Sequence, residues 1–287
     1  LATDPICIPE NPERVVVTVP RHNIALLRAG VPIVGLAFKD FLIRQFPEWE
    51  AELSEITDIG FPPNLERILA LEPDLIIVAE QEGEDQEGLA AIAPTVIAEL
   101  HGTHLWRENA ELVFSAVGED EAFEVLMSEL DMRTAEMNTL LGDSADQELS
   151  IVRVLPGRLG LYTQYSPGSM IAEQVGFTRP DVQLLPVTPE EFDANQDDYP
   201  AFCCSFVSEI TLELLDQADA DFIIFFGSNS NDDARATFDE VRDSPLWQTL
   251  EAVQEDNIHI TDVNYAGPDI SSLHAVLNDL AEAFGIT

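Results

Sequence analysis

Arg153 sits in the run IVRVL, where its neighbours are all apolar. An arginine so placed suits one chemistry above others: planar, bidentate, charge-assisted bonds to anionic oxygens. Aromatic side chains supply a complementary surface, a face for an apolar or aromatic rim. Such residues recur at the ends of strand-like runs. Trp106 and Arg107 follow PTVIAEL, Tyr162 and Tyr165 lie in or just after LGLYTQY, and Asn229 follows DFIIFFG. In open α/β sheets a ligand sits beyond the carboxyl ends of the strands, so these positions select a binding site for a small molecule. Arg21 and His22, after the first strand, are weaker candidates. Each residue also has a plainer role open to it. Arg153 could pair with a local acid, Trp106 could pack at a helix start, and either tyrosine could be core with a satisfied hydroxyl. Trp247, in SPLWQTL, reads as core.

Other chemistries lack their residues. His101 and His104 are i, i+3 apart but lie in a loop with no third ligand nearby in sequence. His259 falls in a strand and His274 on a helix, so direct binding of a bare metal is disfavoured. Cys203 and Cys204 are adjacent and Cys7 is far away. In an export compartment Cys7 could bridge to one of the pair, or the pair could bridge to each other; buried free thiols remain open. There is no G-x-G-x-x-G after the first strand, no G-x-x-x-x-G-K-[ST] and no G-x-S-x-G, so an enzyme is not expected.

The chain has 287 residues and is 46% hydrophobic, enough to core one large domain or two small ones. No stretch approaches the roughly 18–20 apolar residues of a membrane helix, so this part of the protein is expected to be soluble. It opens at Leu1 without Met and reads as a mature or trimmed form. Acids outnumber bases 54 to 13, for a net charge of −41, and Lys39 is the single lysine. The acids are spread along the chain, which reads as a solvated acidic surface and raises salt-rich habitats as a hypothesis. Nucleic-acid binding is disfavoured, because no basic stripe exists to meet phosphates.

The elements that must position the candidates alternate. RVVVTV, PIVGLAF, DLIIVA and PTVIAEL read as strands, with helices at IALLRAG and Asn64–Leu71. From Glu119 to Leu141 there is no Gly or Pro, and Phe123, Leu126, Leu130, Met137 and Leu140/Leu141 make one apolar face. The spacing predicts a helix of about 23 residues, roughly 35 Å long. The alternation then restarts with LSIVRVLP, LGLYTQY, a helix over Ser169–Val175, a helix over Thr211–Gln217, DFIIFF, NIHITDV and a last helix over Ile270–Phe284. Such alternation implies parallel sheets covered by helices.

One segment recurs. NLERILALEPDLIIV (Asn64–Val78) and TLELLDQADADFIIF (Thr211–Phe225) align without a gap. Each starts with a capping residue, continues Leu-Glu, runs through a short apolar helix to Asp74 or Asp221, and enters an apolar strand. A duplicated lobe on either side of the long helix is the economical reading. Glu66 and Glu213 sit in the first turns, where an acid favours the helix dipole. Alternatively, both are exposed at equivalent places and dock onto one partner.

At these residues the chain resembles the substrate-binding proteins of ABC importers for ferric siderophores, haem and cobalamin. The resemblance spans nearly the whole chain: NPERVVV, LLRAGVPIVGL, IGFPPNLERILALEPDLII, HLWRENAELVFSAVGEDEAFEVL, YSPGSMIAEQVGFTRP and SPLWQTLEAVQEDNIHITD, in that order. IAPTVIAELHGTHLWRE is most similar to the iron-chelate branch. The resemblance implies an α/β fold of two Rossmann-like lobes with parallel sheets, bridged by a single long α-helix. Residues 1–117 would form the N-terminal lobe, 118–144 the bridging helix and 145–287 the C-terminal lobe. It implies a ferric siderophore held in the inter-lobe cleft and delivered to an ABC permease, with haem or cobalamin as the alternative ligand. No intrinsic cofactor is implied, only an Fe(III)-chelate as cargo. Glu66 and Glu213 match lobe-tip acids that salt-bridge to permease arginines. The family also implies a monomer with limited hinge motion, at the periplasmic or extracytoplasmic face of the membrane, with or without a lipid anchor.

Overall fold

The computed structural model describes residues 6–18, 21–79, 85–98, 105–185, 188, 191 and 206–286. His101, His104, Cys203 and Cys204 lie outside them. The described residues divide into two units. The first holds those up to Ala98, Leu105–Ser128 and Asp269–Ser271; the second holds Glu129–Pro268 and Ser272 onward.

The first unit runs β1 (Val15–Val17), α1 (Asn23–Arg28), β2 (Ile33–Leu36), α2 (Lys39–Gln45), α3 (Glu50–Glu55), β3 (Thr57–Asp58), α4 (Leu65–Ala70), β4 (Leu75–Ala79), α5 (Gln86–Ile92), β5 (Thr95–Ala98) and α6 (Trp106–Ala116). Its sheet is parallel in all its pairings, in the order β3-β2-β1-β4-β5. Val15, Val16 and Val17 are fully buried, as a central strand covered on both faces requires. Helix α1 stops where Gly30 turns left-handed at φ 84°, as IALLRAG predicts.

Helix α7 (Asp120–Leu141) has 22 residues, begins in the first unit and ends in the second. Phe123, Leu126, Leu130, Met137 and Leu141 are buried, so the apolar stripe read from the sequence is its packed face.

The second unit runs β6 (Leu149–Leu155), β7 (Arg158–Tyr162), α8 (Pro167–Val175), β8 (Phe206–Ile210), β9 (Phe222–Phe226), α9 (Asp232–Asp243), α10 (Glu251–Gln254), β10 (Ile258–Thr261) and α11 (Ile270–Ala283). The two Rossmann-like lobes and the single long helix are thus present, but the second sheet corrects the expectation of parallel strands throughout. Its order is β10-β9-β6-β7-β8, with β10, β9 and β6 parallel and β7 and β8 antiparallel. Only Pro156 and Gly157 separate β6 from β7, too few for a crossover, and Gly157 at φ 74° supplies the tight reversal.

The recurring segment keeps its strands and loses part of its helical likeness. Asn64 caps α4, its Oδ1 accepting the Arg67 N–H at 2.9 Å. Thr211 makes no such cap, and Leu212–Ala218 is a 3-10 segment interrupted at Leu214. The Thr211 hydroxyl donates instead to Glu213, which holds that carboxyl below its usual range.

Candidate functional site

Strand order fixes where each sheet can open. In the first unit the chain leaves β1 toward β2 on one side and returns to β4 on the other, so the switch point lies between β1 and β4. In the second unit it lies between β6 and β9. Loops leaving such strands diverge, and the space beyond their carboxyl ends is where ligands bind in open α/β sheets.

Arg153 and Phe226 flank the second switch point. They are register partners near the ends of β6 and β9, and Thr261, the last residue of β10, pairs with Phe226. Just beyond, Gly227 takes φ 79°, turning the chain away beside the Arg153 side chain. The Arg153 guanidinium donates to the Tyr162 hydroxyl at 3.2 Å. Tyr162 is fully buried and meets the Phe226 ring edge-on, 5.0 Å between centroids. Its carbonyl accepts Arg179 Nη2 at 2.7 Å. Arg179 also bonds Gln183, whose amide reaches the Ser150 hydroxyl at 2.6 Å. Burial holds the Arg179 pKa down to about 10, against the opposing pull of Glu173 and Glu148. Tyr162 is therefore fixed at both ends, by one arginine on its backbone and another on its hydroxyl.

The remaining candidates are placed as follows. Tyr165 is half-buried, and its N–H donates to the Thr163 hydroxyl at 3.1 Å. Asn229 is exposed and its amide donates to both Asp262 oxygens, at 3.1 and 3.2 Å. Trp106 is 2% exposed and packs in the first turn of α6. Half-buried Arg107 lies over it, 5.2 Å from the ring centroid, a cation–π contact. Trp247 is core, against Phe225 and Phe238.

The first switch point is more polar than the sequence suggested. Thr18, Arg21, His22 and Asn23, in the stretch after β1, are all buried. His22 has a left-handed backbone at φ 58°, unusual without a glycine. Its Nε2 lies 3.2 Å from Asn109 Oδ1 on α6, while Nδ1 has no hydrogen-bond partner among the described residues. Burial, helped by the Arg21 charge, holds its pKa down to about 3. A buried cluster of polar residues where an apolar strand meets an apolar helix was the available signal; the left-handed turn and the Asn109 contact were not.

Glu66 and Glu213 are both exposed. Among the described residues no group of three or more His, Cys, Asp or Glu could hold a metal ion. No helix among them is long and apolar enough to cross a membrane.

Known proteins are similar to this chain. The family model described as periplasmic binding protein matches residues 55–177. The probable siderophore-binding lipoprotein YfiY of Bacillus subtilis (strain 168) is 30% identical, over 96% of this chain and 84% of the relative. The iron(3+)-hydroxamate-binding protein FhuD of the same organism is 25% identical, over 96% and 82%. Staphylococcus aureus SirA, solved in complex with staphyloferrin B, superposes with a TM-score of 0.78 over 98% of this chain and 95% of that one. At 22% identity that last likeness speaks for the fold alone.

Proposed function

The chain belongs to the periplasmic binding protein family, whose members are substrate-binding proteins and not enzymes, and from that premise we propose that it captures a ferric siderophore in an inter-lobe cleft and delivers it to an ABC importer. Residues 1–117 and 145–287 are the two lobes of this reading, with 118–144 as the bridge. The chelate is cargo, carried at the extracytoplasmic face, and the iron reaches the protein already wrapped in its chelator.

The observation that carries the reading is the Arg153–Tyr162 pair at the second switch point. A guanidinium held beside buried aromatic rings suits a ligand that presents anionic oxygens at one place and an apolar rim at another. Arg107 on Trp106 offers the same combination in the first unit. Tyr165 and Asn229 complete the ligand-binding set, and Glu66 and Glu213 are its docking residues for permease arginines. The names of the relatives point the same way, one a probable siderophore-binding lipoprotein and another an iron(3+)-hydroxamate-binding protein.

Native mass spectrometry tests the reading. The protein is incubated with a mixture of a ferric hydroxamate, ferric citrate, a ferric catecholate, haem and cobalamin. Retention of one ferric chelate is expected. Retention of haem or cobalamin alone would transfer the protein to the alternative reading, and retention of nothing would refute both.

A further inference from the structure

Asp279 lies in the middle of α11, surrounded along the helix by Leu273, Val276, Leu277 and Leu280, all fully buried. It is itself 5% exposed. A carboxylate at such a place is costly unless several donors reach it, and an apolar residue would pack there more cheaply. Three donors do reach it. Thr261 Oγ1 donates to Oδ1 at 2.6 Å, His259 Nε2 lies 3.0 Å from the same oxygen, and the Tyr265 hydroxyl donates to Oδ2 at 2.7 Å. Two of the three come from β10, and the third from the loop that leaves it.

Tyr265 passes this constraint on in two directions. Its carbonyl accepts the N–H of Gly168 at 3.1 Å, at the start of α8. A Cβ on Gly168 would stand 2.6 Å from that oxygen, so only glycine permits the approach. Tyr165 lies in the loop that this contact anchors. The Tyr265 ring also sits 5.7 Å from Phe226, whose ring meets Tyr162, whose hydroxyl accepts from Arg153. Burial, with the Asp279 charge beside it, pushes the Tyr265 pKa well up, so its hydroxyl stays a donor throughout the neutral range.

We propose that Asp279 is a positioning residue of the ligand site: by fixing Tyr265 it sets the places of Tyr162 and Tyr165, and through Tyr162 that of Arg153. The proposal rests on the reading of Arg153 and the two tyrosines as ligand-binding residues. Positional coupling of this kind runs through contiguous packed and hydrogen-bonded groups, and every link here lies within the second unit.

The test titrates ferrioxamine B, ferric citrate and a ferric catecholate in turn into wild type, Arg153→Ala, Tyr265→Phe, Asp279→Asn and Phe238→Leu. Tyr265→Phe keeps the ring and removes only the bond to Asp279. Phe238→Leu loosens the core of the same unit away from this chain of contacts. Tyr265→Phe and Asp279→Asn are expected to raise Kd about three- to thirty-fold and to shift the visible circular dichroism of the bound chelate. Phe238→Leu is expected to lower Tm and leave both readouts alone. If Asp279→Asn does not fold, Tyr265→Phe decides by itself. Wild-type Kd in Tyr265→Phe, with Arg153→Ala weakened, refutes the positioning role and leaves the proposed function standing. A Phe238→Leu variant that shifts Kd as far as Tyr265→Phe refutes the role as well, because general loosening would then suffice. Failure of wild type to bind any of the three, or of Arg153→Ala to weaken binding, refutes the underlying reading together with this one.

Discussion

The carboxylate of Asp221 accepts the backbone N–H of Glu148 at 2.8 Å, each residue standing immediately before its strand. Asp74 does the same in the first unit, accepting from Glu13 at 2.8 Å and Arg14 at 3.0 Å. The strands that follow, β4 beside β1 and β9 beside β6, are the pairs that flank the two switch points. The aspartate of the recurring segment therefore pins the register of the central strand pair in each lobe. Asp74→Ala and Asp221→Ala should each cost about 1 kcal/mol, the ordinary worth of such bonds near a solvated surface. Urea unfolding measures the loss. A change below experimental error would show that strand pairing alone sets the register.

These aspartates also show how far the sequence could be read. Their gap-free alignment placed both strands, because a fixed offset from cap to strand survives divergence. The helical half of the same alignment failed at Thr211, because a hydroxyl can turn to Glu213 as readily as to a backbone N–H. The β6–β7 hairpin goes unread in the sequence, although Pro156-Gly157 is a turn signal, because the α/β alternation suggests parallel strands. Arg153 was marked out because a cation in an apolar strand is costly without a partner. Tyr265 and Asp279 were not, since an Asp on a helix reads as surface until the fold brings three donors to it.

The net charge of −41 has its own consequence. The ion pairs Arg158–Glu209, Arg235–Asp232 and Arg242–Asp239 all involve half-exposed or more exposed side chains, and 13 cations are too few to neutralise 54 acids. Self-repulsion across the surface weakens the compact state, and screening relieves it, because the Debye length falls from about 10 Å at 0.1 M salt to about 3 Å at 1 M. Tm should rise steadily with KCl over that range. A flat or falling Tm by calorimetry would remove both the repulsion argument and the salt-rich habitat.

Two histidines should titrate with opposite signs. His22 has its pKa depressed to about 3 by burial and by Arg21, so the native state refuses a proton that the unfolded chain accepts near pH 6.5. Its contribution is present above pH 6.5 and is lost as pH falls toward 3, with a slope approaching about 1.4 kcal/mol per pH unit. His259 is raised by its bond to Asp279, so its contribution is present below pH 6.5 and is lost as pH rises through the elevated value. Unfolding free energies from pH 5 to 8 should accordingly fall less steeply on the acid side in His22→Gln and change on the alkaline side in His259→Gln. NMR of the imidazoles gives the direct reading, and a His22 ring that protonates near pH 6 would contradict its buried, neutral state.

Docking should separate from ligand capture. Glu66 and Glu213 occupy equivalent first-turn positions in the recurring segments and are both exposed, and Glu213 is held ionised by the Thr211 hydroxyl. Neither lies at a switch point, so Glu66→Ala and Glu213→Ala should leave the Kd for a ferric chelate unchanged. Exposed ion pairs are individually weak and act mainly on register and encounter, so each single change should slow uptake in cells only about two- to fivefold. In the proposed docking each lobe contributes one contact to the same partner, so losing both should slow uptake by more than either alone. Replacing each glutamate by arginine should be worse than alanine, because a cation facing a permease arginine repels it. Uptake of radiolabelled iron, measured beside Kd on the purified variants, decides the matter: full uptake by the double arginine variant would remove these residues from the docking surface, and a parallel rise in Kd would move them to the ligand site.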